Sequence, residues 1–224
     1  MSPKSAKPRR VVVTAGPTHE HLDPVRYLGN ESSGKMGFEL ARAAQLRGDQ
    51  VTLIAGPVAL ETPPGVRRVD VVSARELMKA TKEAFAKADL LIMAAAVADW
   101  RPKRRLAGKW RLKDSGADEA TIELVKNPDI LAAMGRKKGA RMIIGFALET
   151  AEGVARARSK MVRKNADYIV LNDASALGSE RNTVTILGRD GSRLDLSDLS
   201  KRKIAARLVE LKAPPEPRGR ARKA

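Results

Sequence analysis

Short apolar runs alternate along this chain with segments whose apolar residues recur at helical spacing, and that alternation decides the fold class. The runs RRVVVTAG (9–16), QVTLIAG (50–56), DLLIMAAAVAD (89–99), RMIIGFALE (141–149) and ADYIVLND (166–173) read as buried strands. GFELARAAQLRG (37–48), SARELMKATKEAFAKA (73–88), NPDILAAMGRKKG (127–139) and TAEGVARARSKMVRKN (150–165) read as helices between them. Ser73 suits an N-cap, Gly48 a helix stop and Pro128 a first helical turn. NTVTILGRDGSRLDLS (182–197) is a β-hairpin with Asp-Gly at its turn, and SDLSKRKIAARLVELK (197–212) closes as a helix. The expectation is an α/β, Rossmann-like fold: a mainly parallel sheet with helices on both faces plus a C-terminal β-hairpin, with ligands at the carboxyl ends of the strands. No repeat is present. Residues 9–212 are expected to form one domain, and the tails 1–8 and 213–224, rich in Pro, Lys and Arg, to be disordered.

The loops after the strands carry the unusual chemistry. NESSGKMG (30–37) opens into a helix, a setting in which free N–H groups and the helix dipole hold anions. It is neither GxxxxGK[ST] nor GxGxxG. The segment HEHLDPVRYLGN (19–30) is long for a connection inside an α/β unit, and WRPKRRLAGKWRLKDSGADEA (100–120) is a basic loop of about twenty residues.

Composition narrows the chemistry further. There is no cysteine, which excludes disulfides, thiolate metal sites and cysteine nucleophiles, and the two histidines, His19 and His21, sit close together in a loop by this reading. No apolar run is long enough to span a bilayer and no signal peptide opens the chain, so a cytoplasmic protein with no membrane partner is expected. The net charge of +17 suggests nucleic acid, yet residues 1–10 and 213–224 carry 7 of those charges and aromatics make up only 3% of residues. No specific nucleic-acid partner is expected.

TAGPT…DPVRYLGNESSGKMG, AAAVADW and LVKNPDIL, in this order, resemble the phosphopantothenate–cysteine ligase family of coenzyme A biosynthesis, over about residues 9–212. The resemblance implies an enzyme that joins 4′-phosphopantothenate to L-cysteine through an acyl-cytidylate, with CTP (ATP in eukaryotic relatives) and Mg²⁺, releasing pyrophosphate and CMP. It also implies a homodimer. Many bacterial relatives carry a flavin-dependent decarboxylase domain before the ligase. About ten residues precede the first strand here, so a stand-alone ligase or an excised one is expected, with the decarboxylase as a separate partner. The chemistry needs positioning and positive charge around phosphorus rather than a protein nucleophile.

By that resemblance Lys109, ten residues after Asp99 and seventeen before Lys126, is the activating cation. The family's K-x-K-K motif reads KWRL here, followed by Lys113, so Arg111 keeps a charge where Leu112 breaks the pattern. Taken by itself, the same stretch reads as a solvated charge run. Asn30 matches the asparagine that handles the acyl-nucleotide, although Asn30, Ser32 and Ser33 are also good helix caps. With Gly34 they form the expected phosphate loop. Arg26 either binds phosphate or carboxylate bidentately or pairs with Asp23. The nucleotide side maps onto Met93, Ala94, Ala95, Asp99, Lys109, Pro128, Asp129, Ile130, Leu131, Phe146, Lys160 and Lys164. Read alone, the alanines are close packing, Phe146 a core aromatic, and Lys160 with Lys164 a solvated helix face. A nicotinamide reductase on a similar sheet is disfavoured, because GxGxxG is missing and neither Tyr27 nor Tyr168 has a lysine four residues on. A non-catalytic nucleotide-binding relative and an ATP-using ligase stand as alternatives.

Overall fold

A computed structural model of the chain describes residues 7–111, 119–148, 153–172 and 181–215. The predicted tails lie mostly outside this range, as does Lys113.

The chain opens with β1 (Arg10–Ala15), followed by the short pair β2 (His19–His21) and β3 (Tyr27–Gly29) and by α1 (Lys35–Leu46). β4 (Gln50–Ala55), β5 (Arg67–Asp70), α2 (Ala74–Phe85) and β6 (Leu90–Met93) come next. A second short pair, β7 (Trp100–Pro102) and β8 (Leu124–Lys126), precedes α3 (Ile130–Arg136). β9 (Met142–Leu148), α4 (Gly153–Lys164), β10 (Tyr168–Asn172), β11 (Arg181–Gly188), β12 (Arg193–Ser200) and α5 (Lys201–Val209) complete it.

The main sheet has eight strands in the order β12-β11-β10-β9-β6-β1-β4-β5. The pairings from β10 through β5 are all parallel, and β11 and β12 add antiparallel as the expected hairpin. Alternation along the strands divides the core between the two faces. Val11, Val13 and Ala15 point toward α1 and α5, packing with Phe38, Ala41, Ile204 and Leu208. Val12 faces the other way, into the layer of Leu77, Phe85, Met134 and Met161 from α2, α3 and α4. β1 and β6 lie mid-sheet with both faces covered, which is why their sequences are unbroken apolar runs rather than alternating ones. From β1 the chain winds outward through β4 to β5, then returns to place β6 on the other flank of β1. A crevice between the carboxyl ends of β1 and β6 follows from that reversal.

Several local expectations are corrected. The histidines and the long segment after β1 form the β2–β3 hairpin, in which His19 stacks on Tyr27 at 3.6 Å between ring centroids. The basic loop is closed at its base by the β7–β8 ladder. The run expected as one strand through Asp99 leaves the sheet after Met93, because Ala94, Ala95, Ala96 and Ala98 bond instead to Thr14 at the end of β1 and to Gly16 and Thr18 in the loop after it. Pro128 precedes the helix rather than opening its first turn: Asp129 is the N-cap, its side chain accepting from Ala132 N–H at 2.9 Å. β5 carries two arginines and an aspartate in four residues at the sheet edge, too little apolar character to read as a strand.

The loops of the crevice approach each other closely. A β-carbon added to Gly56 would lie 1.7 Å from the Pro17 carbonyl oxygen. Gly56→Ala is therefore expected to destabilise the fold by about 1–3 kcal/mol, the usual cost of overpacking. Chemical denaturation checks this, and an unchanged midpoint would contradict the contact.

Candidate functional site

Backbone stitching builds the crevice. Ala94 N–H donates to Thr14 O at 3.2 Å and Ala96 N–H to Gly16 O at 2.9 Å, while Thr18 N–H donates back to Ala96 O at 3.1 Å. Two buried threonine hydroxyls complete the seam, accepting from Ala95 N–H at 3.2 Å (Thr14) and Ala98 N–H at 3.0 Å (Thr18). From the other side, buried Asn127 donates its side-chain N–H to Ala98 O at 2.9 Å and its backbone N–H to Asp99 O at 2.8 Å. The AAAVAD segment is thus held in a non-strand conformation by partners on both flanks. Small residues there leave room for a ligand.

Two cavities open along this segment. The first, about 380 Å³, is lined by Met93, Ala95, Asp99, Pro128, Asp129, Ile130, Leu131, Phe146, Lys160 and Lys164, among others. All but two of the residues expected on the nucleotide side therefore meet in one place. Ala94 lines the neighbouring cavity, and Lys109 lines neither. Lys160 and Lys164, four apart on α4, reach back across the crevice rather than into solvent. Lys160 Nζ donates to Phe146 O at 2.8 Å, and Lys164 Nζ pairs with Asp129. Burial opposes ionisation of Asp129, but the hydrogen bonds from Lys164 and Ala132 N–H outweigh it and hold its carboxyl below the usual range.

The second cavity, about 210 Å³, shares Ala95 and Phe146 with the first. Its roof is the glycine loop, Glu31 through Gly37, including Ser32, Ser33 and Gly34. Gly34 is the N-cap of α1 with φ of 75°, a left-handed conformation that glycine adopts without strain. No side chain caps α1, so its first N–H groups remain available to an anion. α1 also seats close to the sheet: a β-carbon at Gly37 would come within 2.4 Å of Ala15 Cβ.

Arg26, Asn30 and Lys109 line neither cavity, although Asn30 adjoins Glu31 of the second; they belong to the β2–β3 hairpin, its exit and the basic loop. Glu20, on β2, is buried and accepts from Ala74 N–H at 2.8 Å, fixing the hairpin to the start of α2. Asp23 is buried at the hairpin turn. Its Oδ1 accepts from Val25 and Arg26 N–H, both at 2.8 Å, and its Oδ2 accepts from Arg26 Nε at 2.8 Å and from Trp110 N–H at 3.1 Å. Burial works against the charge on Asp23, and these hydrogen bonds overcome it, placing its carboxyl far below the usual carboxylate range. Arg26 also donates to the Trp110 carbonyl, and Leu106 N–H donates to Leu22 O at 2.8 Å. In the single chain Arg26 is thus a structural partner of Asp23. Lys109, exposed and adjacent to Trp110, is tied to the same hairpin that carries Asn30. Arg111 is exposed beside it.

Thr14, Thr18, Asp23 and Asn127 lie within the quoted motifs and Glu20 beside them, but apart from the Asp23–Arg26 pair the sequence reading gave them no role. The one signal available was chemical: polar residues inside or beside apolar runs, where burial demands a partner.

No helix among the described residues is long and apolar enough to cross a membrane. Residues 6–213 match the family described as DNA/pantothenate metabolism flavoprotein C-terminal domain. The coenzyme A biosynthesis bifunctional protein CoaBC of Vibrio cholerae is 45% identical over 215 residues, covering 94% of this chain and 53% of that protein. The chain thus spans about half the length of this curated relative. A crystal structure of the C-terminal domain of a CoaBC protein superposes with a TM-score of 0.79 at 37% identity, covering 92% of this chain and 95% of that one. A Cab2 variant in complex with phosphopantothenate-cysteine shares the fold at a TM-score of 0.71 and 17% identity, over 90% of this chain and 85% of that one. Family match, sequence identity and fold agree: the chain belongs to the DNA/pantothenate metabolism flavoprotein C-terminal domain family.

Proposed function

We propose that this chain is a phosphopantothenate–cysteine ligase acting in cytoplasmic coenzyme A synthesis, with CTP as its nucleotide. The observation that carries the reading is the junction of the two cavities at Ala95 and Phe146. A nucleotide in the first cavity and an anion under the glycine loop in the second would then meet over the AAAVAD segment. In the first half-reaction a phosphopantothenate carboxylate oxygen attacks the α-phosphorus of CTP and the bond to pyrophosphate breaks. In the second, the cysteine amine attacks the acyl carbon, CMP leaves and the amine loses a proton. Lys109 stabilises charge developing at phosphorus, and Asn30 orients the acyl-nucleotide for the amine. ATP in place of CTP uses the same geometry, since base choice rests on main-chain contacts.

Magnesium fits only as a passenger of the nucleotide. Among the described residues no three His, Asp or Glu side chains cluster to hold a metal, and Asp129 is committed to Lys164. Asp99, exposed at the edge of the first cavity, is the carboxylate able to reach an ion carried on phosphates.

The two roles separate by half-reaction. Lys109→Gln is expected to fold normally and to lose pyrophosphate release about 10²- to 10³-fold, the usual effect of removing one stabilising contact. Asn30→Asp is expected to release one equivalent of pyrophosphate and then accumulate acyl-nucleotide, discharged slowly by cysteine. Rapid-quench assays check both. Normal pyrophosphate release by Lys109→Gln, or none by Asn30→Asp, would reassign these residues.

The absence of Arg26, Asn30 and Lys109 from the lining of both cavities supports a homodimer in which the hairpin unit of one protomer completes the site of its partner. The hairpin exposes Val25 at 59% and Tyr27 at 50%, apolar surface suited to a second copy. Lys109 and Asn30 belong to one unit, so chains mutated in these two cannot rescue each other. A cavity variant, Lys160→Met, mixed with a hairpin variant, Asn30→Ala, is expected to recover about a quarter of wild-type turnover, because half the dimers are mixed and each has one intact site. No recovery after subunit exchange would place Asn30 in its own chain's site.

A further inference from the structure

Four cations line the first cavity, and the reaction described so far uses two of them. Lys160 and Lys164 are engaged at its wall, one with the Phe146 carbonyl and the other with Asp129. Lys126 and Arg163 complete the set. A nucleoside triphosphate brings several negative charges, and an ammonium already paired with a carboxylate has little left for them.

The backbone of Lys126 is pinned from both sides. On β8 it stands directly opposite Trp100 of β7 in the antiparallel ladder, and its carbonyl accepts from Arg101 Nη1 at 2.5 Å. The same arginine donates to the Asn127 side-chain oxygen at 3.2 Å, and Asn127 N–H donates to Asp99 O at 2.8 Å. Lys126 therefore borders the Asp99 end of the cavity. It is exposed there, and among the described residues its ammonium has no ion-pair partner. Burial grades the cavity: Met93, Ile130 and Leu131 form a buried apolar wall, whereas Asp99 and Lys126 are exposed at the rim. A base suits the apolar wall, and a phosphate chain, the most strongly hydrated part of a nucleotide, suits the wet rim. Arg163 is exposed too, but it lies on α4 beside Lys164, while Lys126 adjoins the carboxylate able to reach an ion carried on phosphates.

We infer that Lys126 is a further nucleotide-binding residue, its ammonium contacting the phosphate chain at the rim of the first cavity while the ladder and Arg101 hold it in place. This rests on the ligase reading and goes beyond it by naming, within the cavity's own protomer, the cation that meets the phosphates. The ligand class is a nucleoside phosphate, CTP in that reading.

Lys126→Gln removes the charge, and Lys126→Arg retains it. Equilibrium titrations, without turnover, compare CTP, CMP and cytidine, the weaker ligands by competition, and the same series is run with ATP, AMP and adenosine. Lys126→Gln is expected to weaken the triphosphate about tenfold, the low end for a charge-assisted contact because the rim is solvated, and to leave the nucleoside unchanged. The loss is expected to shrink as salt is raised, and Lys126→Arg to restore part of it. A loss that spares the monophosphate supports the inference and assigns the contact to the phosphates that leave as pyrophosphate. A loss shared by the monophosphate supports it and assigns the contact to the α-phosphate. Unchanged triphosphate binding by folded Lys126→Gln, or an equal loss for the nucleoside, overturns the inference while leaving the ligase reading in place. Wild-type protein that binds neither triphosphate would defeat the ligase reading and the inference with it. Should Lys126→Gln fail to fold, acetylation of Lys126 in the wild-type protein by acetic anhydride, followed by mass spectrometry, decides. CTP is expected to slow it and cytidine to leave it unchanged, and equal rates with and without CTP overturn the inference.

Discussion

The seam between residues 14–18 and 94–98 is the interaction on which the rest depends. A parallel sheet that reverses its winding must splay the chain at the reversal, exposing the backbone groups of both departing loops. Here those groups are spent on each other, with the Thr14 and Thr18 hydroxyls supplying acceptors that the irregular backbone lacks. Each bond contributes about 1 kcal/mol net, but leaving a buried N–H unpaired costs about 1–3 kcal/mol, so the threonines matter mainly through what their absence would expose. The result is a rigid floor of small residues, open to a ligand above and continuous with the strand ends below. Both cavities are consequences of that floor.

A second constraint sets what the floor can receive. Two buried carboxylates, Glu20 and Asp23, fasten the β2–β3 hairpin to α2 and the basic loop to the hairpin. Asp23 accepts bonds from the Val25, Arg26 and Trp110 N–H groups and from the Arg26 side chain, so two loops far apart in sequence move as one body. Lys109 and Asn30 thereby share a platform, and neither lines the cavities that Phe146 joins. Under the proposed reading, the residues assigned to the chemistry do not line the cavity assigned to the nucleotide, and that is the physical reason a second protomer enters the account.

Much of this was legible in the sequence, for identifiable reasons. The central strands were clear because both faces are buried and composition alone reveals them, as in β1 and β6. α2 was clear because Ser73 caps it, accepting from Glu76 N–H at 3.3 Å. The resemblance put Asp129, Phe146 and Lys160 together on a nucleotide side, and all three line one cavity, although residue by residue each had a plain structural reading. What stayed hidden depends on long-range partners. β7 and β8 are three residues each and exist by pairing across the basic loop, and β5 is an edge strand whose arginines look like surface. Arg26 carried two readings, and the single chain selects the ion pair with Asp23.

The central claim is that the crevice activates a carboxylate with a nucleotide, and pyrophosphate release tests it most directly. Wild-type protein would be assayed with phosphopantothenate and Mg²⁺ and each of the four ribonucleoside triphosphates, with and without cysteine. The account predicts release with CTP that requires phosphopantothenate, stops near one equivalent per site without cysteine, and turns over continuously when cysteine is added. Release with ATP instead would change the nucleotide but keep the mechanism. No release with any triphosphate, from folded dimeric protein, would contradict it.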